Sequence, residues 1–107
     1  MQEKILGVDI GGTGIKGAIV SVKTGELLTE RFRLSTPKPA TPEAVAGVFT
    51  ELVDHFGYQG PIGTGFPAII KQGVAMSASN IDRDWIGKHV AELLGGSCGQ
   101  SVYVLND

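Results

Sequence analysis

The stretch Asp9-Ile10-Gly11-Gly12-Thr13-Gly14-Ile15-Lys16-Gly17 decides how the rest of this chain is read. It closes a nearly unbroken apolar run, Lys4 to Ile10, which has the pattern of a central buried strand. The glycines then break that strand. Gly12 to Gly17 matches the G-x-G-x-x-G fingerprint of dinucleotide sites, but that fingerprint needs a helix N-terminus behind it to hold a pyrophosphate. Ile15, Ala18, Ile19 and Val22 do have helical spacing, yet the segment is short, β-branched and interrupted by Gly17. Lys23-Thr24-Gly25-Glu26 ends it as a turn, so Ile15 to Val22 reads as a second strand. The stretch does not fit G-x-x-x-x-G-K-[ST] either, which excludes a P-loop. Asp9 stands directly ahead of the loop and would repel a bare phosphate. A carboxylate, backbone amides and a hydroxyl around one loop suit Mg²⁺ together with phosphate. The competing reading is an unliganded glycine-rich hairpin turn, against which Asp9, Thr13 and Lys16 weigh.

Outward from the loop, Leu28, Phe32 and Leu34 alternate with Thr29, Arg31 and Arg33, giving a third strand with one wet face. Glu30 is the exception on its inner face. The opening is therefore expected to be a three-stranded antiparallel meander. Ser35 to Pro42 is a proline-rich connector. Thr41 can cap a helix with Pro42 at its first position and Glu43 near its positive end. Val45, Val48, Phe49, Leu52, Val53 and Phe56 follow at helical spacing, and Gly57 stops the helix. Pro61 to Gly65 reads as a fourth strand, and Ala68 to Ser77 as a hairpin around Lys71-Gln72-Gly73. A second helix is expected after Asp84, carrying Ile86, Val90, Leu93 and Leu94 and ending at Gly95-Gly96. Val102 to Leu105 is a last strand, with Asn106-Asp107 at its carboxyl end. Strands that follow helices should run parallel to the first through right-handed crossovers. Ligands collect at the carboxyl ends of such strands, where Asp9, Gly65 and Asp107 would converge.

The chain has 107 residues, 42% hydrophobic and 19% charged, which fits one compact domain and argues against disorder. A formal net charge of −2 gives no global attraction to nucleic acid or to an anionic membrane, so any polyanion must be held by local chemistry. No apolar run reaches the length of a membrane span, and no signal-peptide pattern opens the chain. One cysteine, Cys98, excludes an internal disulfide and fits a reducing cytoplasm. Cys98 has no base beside it in sequence, and His55 and His89 lack metal-ligand spacing. Trp85 is expected to pack rather than to stack on a substrate.

The segment Asp9 to Gly17 resembles the first phosphate motif of the ROK sugar kinases, within the actin-like ATPase superfamily. Gly-Thr-Gly-Ile-Lys-Gly at Gly12 to Gly17 is similar to the polyphosphate glucokinase branch; most ROK members have Lys directly after Thr. Further motifs match in order: Thr36-Pro37-Lys38-Pro39-Ala40-Thr41-Pro42-Glu43, Gly65-Phe66-Pro67, Asn80-Ile81-Asp82, Trp85-Ile86-Gly87 and Leu105-Asn106-Asp107. The resemblance implies an actin-like (ribonuclease H-like) mixed five-stranded sheet with a small hairpin insertion. It also implies that residues 1–107 are one N-terminal phosphate- and sugar-binding lobe, with a C-terminal lobe of the kinase beyond this chain.

By the same resemblance the complete protein is a glucokinase, transferring a phosphoryl group from inorganic polyphosphate or ATP to the 6-hydroxyl of glucose. Asp9 holds Mg²⁺, directly or through water. Gly11, Gly12, Thr13 and Gly14 cradle phosphate, with Lys16 as a charge partner. Gly65, Phe66 and Pro67 shape the sugar pocket, Asn80 and Asn106 bond sugar hydroxyls, and Asp107 is the general base. This division suits phosphoryl transfer, which needs in-line positioning and charge neutralisation more than covalent catalysis. A cytoplasmic homodimer is expected of the complete protein, with the 107 residues alone inactive. The alternatives are a sugar-responsive ROK-type regulator, which would carry a helix-turn-helix ahead of the first strand, and an inactive half-kinase remnant.

Overall fold

The N-terminal apolar run forms β1 (Lys4–Ile10), and the chain returns antiparallel beside it as β2 (Gly14–Ser21). The computed structural model describes residues 3–72, 74–78 and 81–106, the last by its backbone alone. No helix begins at Gly14, so the dinucleotide reading fails on its local geometry. The third strand, β3 (Phe32–Ser35), pairs antiparallel with β2 and completes the expected meander. It is shorter than the alternation suggested. Leu28 is 40% exposed, and residues 27–31 meet β2 through a Val20–Leu27 bridge, the Leu28 N–H bond to Ile19 O and the Ile19 N–H bond to the Thr29 hydroxyl, without a continuous ladder. Glu30, expected on the inner face, is exposed, and it breaks the apolar stripe where the strand fails.

The first helix, α1 (Pro42–Phe56), starts and stops where its caps require. The Thr41 hydroxyl accepts from the Ala44 N–H, Pro42 opens the first turn, and Gly57 closes the helix in the left-handed region at φ 57°. Val45, Phe49, Leu52 and Val53 form its buried stripe. The strand β4 (Ile62–Phe66) then pairs parallel with β1. A small antiparallel hairpin follows, β5 (Ile70–Lys71) and β6 (Val74–Ala75).

The second helix differs from expectation at both ends. Arg83–Trp85 form a 3₁₀ turn capped by Asp82, Ile86 is extended, and Gly87 has φ 89°. The chain can thus become helical only at α2 (Val90–Cys98), where His89 Nδ1 accepts from the Glu92 N–H. Gly95 and Gly96 lie inside α2 rather than ending it. A Cβ on Gly95 would sit 2.8 Å from Gln100 O, so glycine there answers to a close approach, and the left-handed C-cap is Gly99.

The last strand, β7 (Val102–Asn106), runs parallel to β4, giving the sheet order β3-β2-β1-β4-β7. Both helices pack on one face. Alternation along β1, β2 and β4 sends Leu6, Val8, Ile10, Ile15, Ile19, Ile62 and Phe66 into a single core with Phe49, Leu52, Trp85 and Leu94. The opposite face carries Gly7, Asp9, Lys16, Ala18, Gly63, Gly65, Tyr103 and Leu105, and no described helix covers it. No helix is long and apolar enough to cross a membrane among the described residues.

Candidate functional site

The turn between β1 and β2 is closed by the Gly11 N–H, which donates to Gly14 O at 2.9 Å. Every carbonyl between Gly11 and Thr13 is then tied to the strand and connector that follow β2. The Thr36 hydroxyl donates to Gly11 O (2.6 Å), the Lys38 ammonium to Gly12 O (3.1 Å), and Arg33 Nη2–H to Thr13 O (2.9 Å). The Thr36 N–H adds a second bond to Thr13 O at 3.2 Å. Carbonyls held this way leave the Gly12 and Thr13 N–H groups without a hydrogen-bond partner among the described residues. Unpaired successive amides in a glycine turn form a concavity that accepts anions.

Gly14 is glycine for a packing reason. A Cβ there would lie 2.7 Å from the Arg33 Cζ and Nη2 atoms, so only a bare Cα lets the guanidinium lie against the turn. Gly17 faces the other way, and its missing side chain makes room for Leu52 of α1.

Asp9, at the carboxyl end of β1, is in register with Lys16 on β2 and with Gly65 on β4. Gly65 is in register with Leu105 on β7. Asp9 and Lys16 are exposed on the open face. Together with Arg31, Gly65, Leu27 and Leu105 they line a groove of about 610 Å³. Asp9 is the only carboxylate among the described residues of that lining, and no cluster of three His, Cys, Asp or Glu forms a metal cage there. A lone carboxylate beside free amides suits a cation carried in by phosphates rather than one caged by protein.

Of the residues expected at the sugar, Gly65 lines the groove and Pro67 is half-buried just beyond it. Phe66 turns inward: its ring is fully buried, edge-on to Trp85 with centroids 4.7 Å apart. It offers a ligand backbone only. Trp85 packs, as expected, and its Nε1–H donates to Ala40 O at 3.0 Å, tying the connector to the core. Asn80 and Asp107 lie outside the described residues, and the backbone of Asn106 pairs with Phe66.

The sequence did not assign Arg31, Arg33, Thr36 or Lys38 to the site. The wet face of the third strand and the connector motif were both visible, but the bonds span 20 to 26 residues of chain. Only the pairing of β2 with β3 brings Arg33, Thr36 and Lys38 to the turn, while Arg31 lines the groove.

Comparison with known proteins gives this geometry a context. The chain is 46% identical over 107 residues to the polyphosphate glucokinase of Mycobacterium tuberculosis, a match that covers 99% of this chain and 40% of the relative. To the polyphosphate glucokinase of Mycobacterium leprae it is 43% identical over 102 residues, covering 94% of this chain and 32% of the relative. The crystal structure of an inorganic polyphosphate/ATP-glucomannokinase from Arthrobacter sp. strain KM superposes with a TM-score of 0.92 at 45% identity. That superposition covers 97% of this chain and 44% of the other. The chain thus spans about two fifths or less of the curated relatives it matches, and its mixed sheet is that of the actin-like sugar kinases. With the ROK family model matching residues 5–107, this chain belongs to the ROK family.

Proposed function

We propose that this chain is the phosphate- and sugar-binding lobe of a glucokinase that uses inorganic polyphosphate or ATP to phosphorylate the 6-hydroxyl of glucose. The observation that carries this reading is the turn at Gly11 to Gly14. Its carbonyls are tied back and its Gly12 and Thr13 amides left free, beside a carboxylate at the end of a parallel strand. The names of the relatives point the same way.

In this reading the free amides and the Thr13 hydroxyl bind the transferred phosphoryl group, and Lys16 offsets its charge. Mg²⁺, when bound, neutralises charge on the phosphates, and Asp9 is the residue that would hold it, directly or through water. Gly65, with no side chain, lets the sugar approach the sheet, and Asn80 and Asn106 bond its hydroxyls. Asp107 accepts the 6-hydroxyl proton as the phosphoryl group is attacked. In this reading a further lobe of the complete protein, whose relatives are longer than this chain, closes the groove. The single free thiol, Cys98, suits a cytoplasmic enzyme.

The test is kinetic, in the full-length protein. Asp107→Asn keeps the size and a hydrogen bond but cannot take a proton, so turnover should fall by about 10²–10⁴-fold with glucose affinity within about threefold. Asn106→Ala should instead weaken glucose binding, on the order of tenfold, by removing one buried hydrogen bond. Near wild-type turnover of Asp107→Asn, with the fold intact by thermal melting, would move the base elsewhere.

A further inference from the structure

The register of the meander produces a row of charges of which the proposed chemistry uses Asp9 and Lys16 but not Arg33. Asp9 on β1 stands opposite Lys16 on β2, and Lys16 stands opposite Arg33 on β3. All three are exposed on the face away from the helices. Like charges directly opposite each other across antiparallel strands are destabilising. Neither Lys16 nor Arg33 forms an ion pair among the described residues that would offset this. Two residues before Arg33, Arg31 enters the same groove. Beyond Arg33, Lys38 reaches the turn at Gly12 O. Three of the chain's nine lysines and arginines, Lys16, Arg33 and Lys38, therefore stand at or next to one turn, with Arg31 further along the same edge, in a molecule whose net charge is −2.

Two of these cations are also fixed. Arg33 lies against the bare Cα of Gly14 with Nη2 on Thr13 O, and Lys38 sits on Gly12 O. Each spends one donor on the turn and keeps others, since a guanidinium has five N–H groups and an ammonium three. They are held beside the free Gly12 and Thr13 amides, on the side away from Gly65 and the sugar end of the groove. A compact triphosphate would be satisfied by the turn itself. A set of cations continuing outward along β3 and the connector matches an anion that continues outward too.

We infer that Arg31, Arg33 and Lys38 form, with Lys16, a track for an extended linear polyphosphate, which leaves the turn along the β2–β3 edge. This rests on the phosphoryl-transfer reading above and deepens it: the turn holds the terminal phosphate, and the track holds the units behind it. Arg31, Arg33 and Lys38 are thus donor-specificity residues, serving a long polyanion more than a nucleoside triphosphate.

The experiment uses the full-length protein and measures binding of long-chain polyphosphate directly, across a salt series, beside the KM for ATP. Arg33→Gln with Lys38→Gln should weaken polyphosphate binding on the order of 10²-fold, about tenfold for each charge-assisted contact. The slope of log affinity against log salt should flatten by roughly two, one for each cation removed, as it does for proteins on other polyanions. The KM for ATP should rise as well, because both side chains hold carbonyls of the turn, but by about tenfold less. Arg33→Lys with Lys38→Arg should retain polyphosphate binding within about fivefold. Arg31 touches no loop carbonyl, so Arg31→Gln tests the track without disturbing the turn and should cost polyphosphate affinity about tenfold. Unchanged polyphosphate affinity and salt slope in Arg31→Gln, or equal losses for polyphosphate and ATP in the double variant, would overturn the track. Because binding is read without turnover, a wild-type protein that phosphorylates no glucose would sink the kinase reading while the binding series still decides the track.

Discussion

The two faces of the central sheet are built from the same strands, yet they have almost nothing in common. Toward the helices, β1, β2 and β4 present Leu6, Val8, Ile10, Ile15, Ile19, Ile62 and Phe66, closed over by α1 and α2 into one core. Toward the other side the same strands present Gly7, Asp9, Lys16, Ala18, Gly63 and Gly65. Large side chains on one face supply the folding energy, roughly 1.5–3 kcal/mol for each fully buried aliphatic or aromatic side chain. Small and charged ones on the other leave a groove that includes Asp9 and Lys16, the residues flanking the turn with free amides. Because side chains alternate with a period of two, a single strand can serve both ends without compromise. Asp9 is the sharpest case, an exposed carboxylate between buried Val8 and fully buried Ile10.

If the faces divide the work this way, damage to each should register in a different measurement. The largest expected stability effect is in the covered face. Phe49→Ala empties the centre of the α1 stripe, where the ring is fully buried, and should cost about 3–5 kcal/mol. Thermal melting would show it, while turnover per folded molecule stays near wild type. A much smaller effect of opposite sign is expected at Thr64. Its hydroxyl is buried in the same face with no hydrogen-bond partner among the described residues. Thr64→Val replaces an unsatisfied group by a methyl of similar shape and should be neutral or stabilise by up to about 1 kcal/mol. A clear loss of stability in denaturant unfolding would reveal a partner for Thr64 beyond the described residues.

What could be read from the sequence, and what could not, follows the same division. The covered face was legible because burial writes a period into the chain: the apolar run of β1, the stripe and caps of α1, and the parallel return of β4 and β7. The bounds of α2 were not, because they depend on contacts made elsewhere. Gly87 at positive φ delays the start, and the approach of Gln100 O to Gly95 turns an apparent helix stop into a packing position. The short β3 had the same cause, a local alternation that the neighbouring strand does not take up. On the open face Asp9, the glycines and Lys16 could be singled out, since they are contiguous with the loop. Arg33, Thr36 and Lys38 could not, because nothing local marks a side chain that caps a carbonyl twenty or more residues away.

Val8 and Asp9 are neighbours in sequence on opposite faces of one strand, and comparing them tests the central claim most directly. In the full-length protein, Asp9→Asn should lower glucose phosphorylation by about 10²-fold or more, since it removes the one carboxylate among the described residues of the groove, with the melting temperature almost unchanged. Val8→Ala should do the reverse, lowering stability by roughly 2 kcal/mol and leaving turnover per folded molecule within about twofold. The measurement is turnover and thermal melting on both variants side by side. If Asp9→Asn melted early but turned over like the wild type, Asp9 would be a structural residue, and the open face would not be the working one.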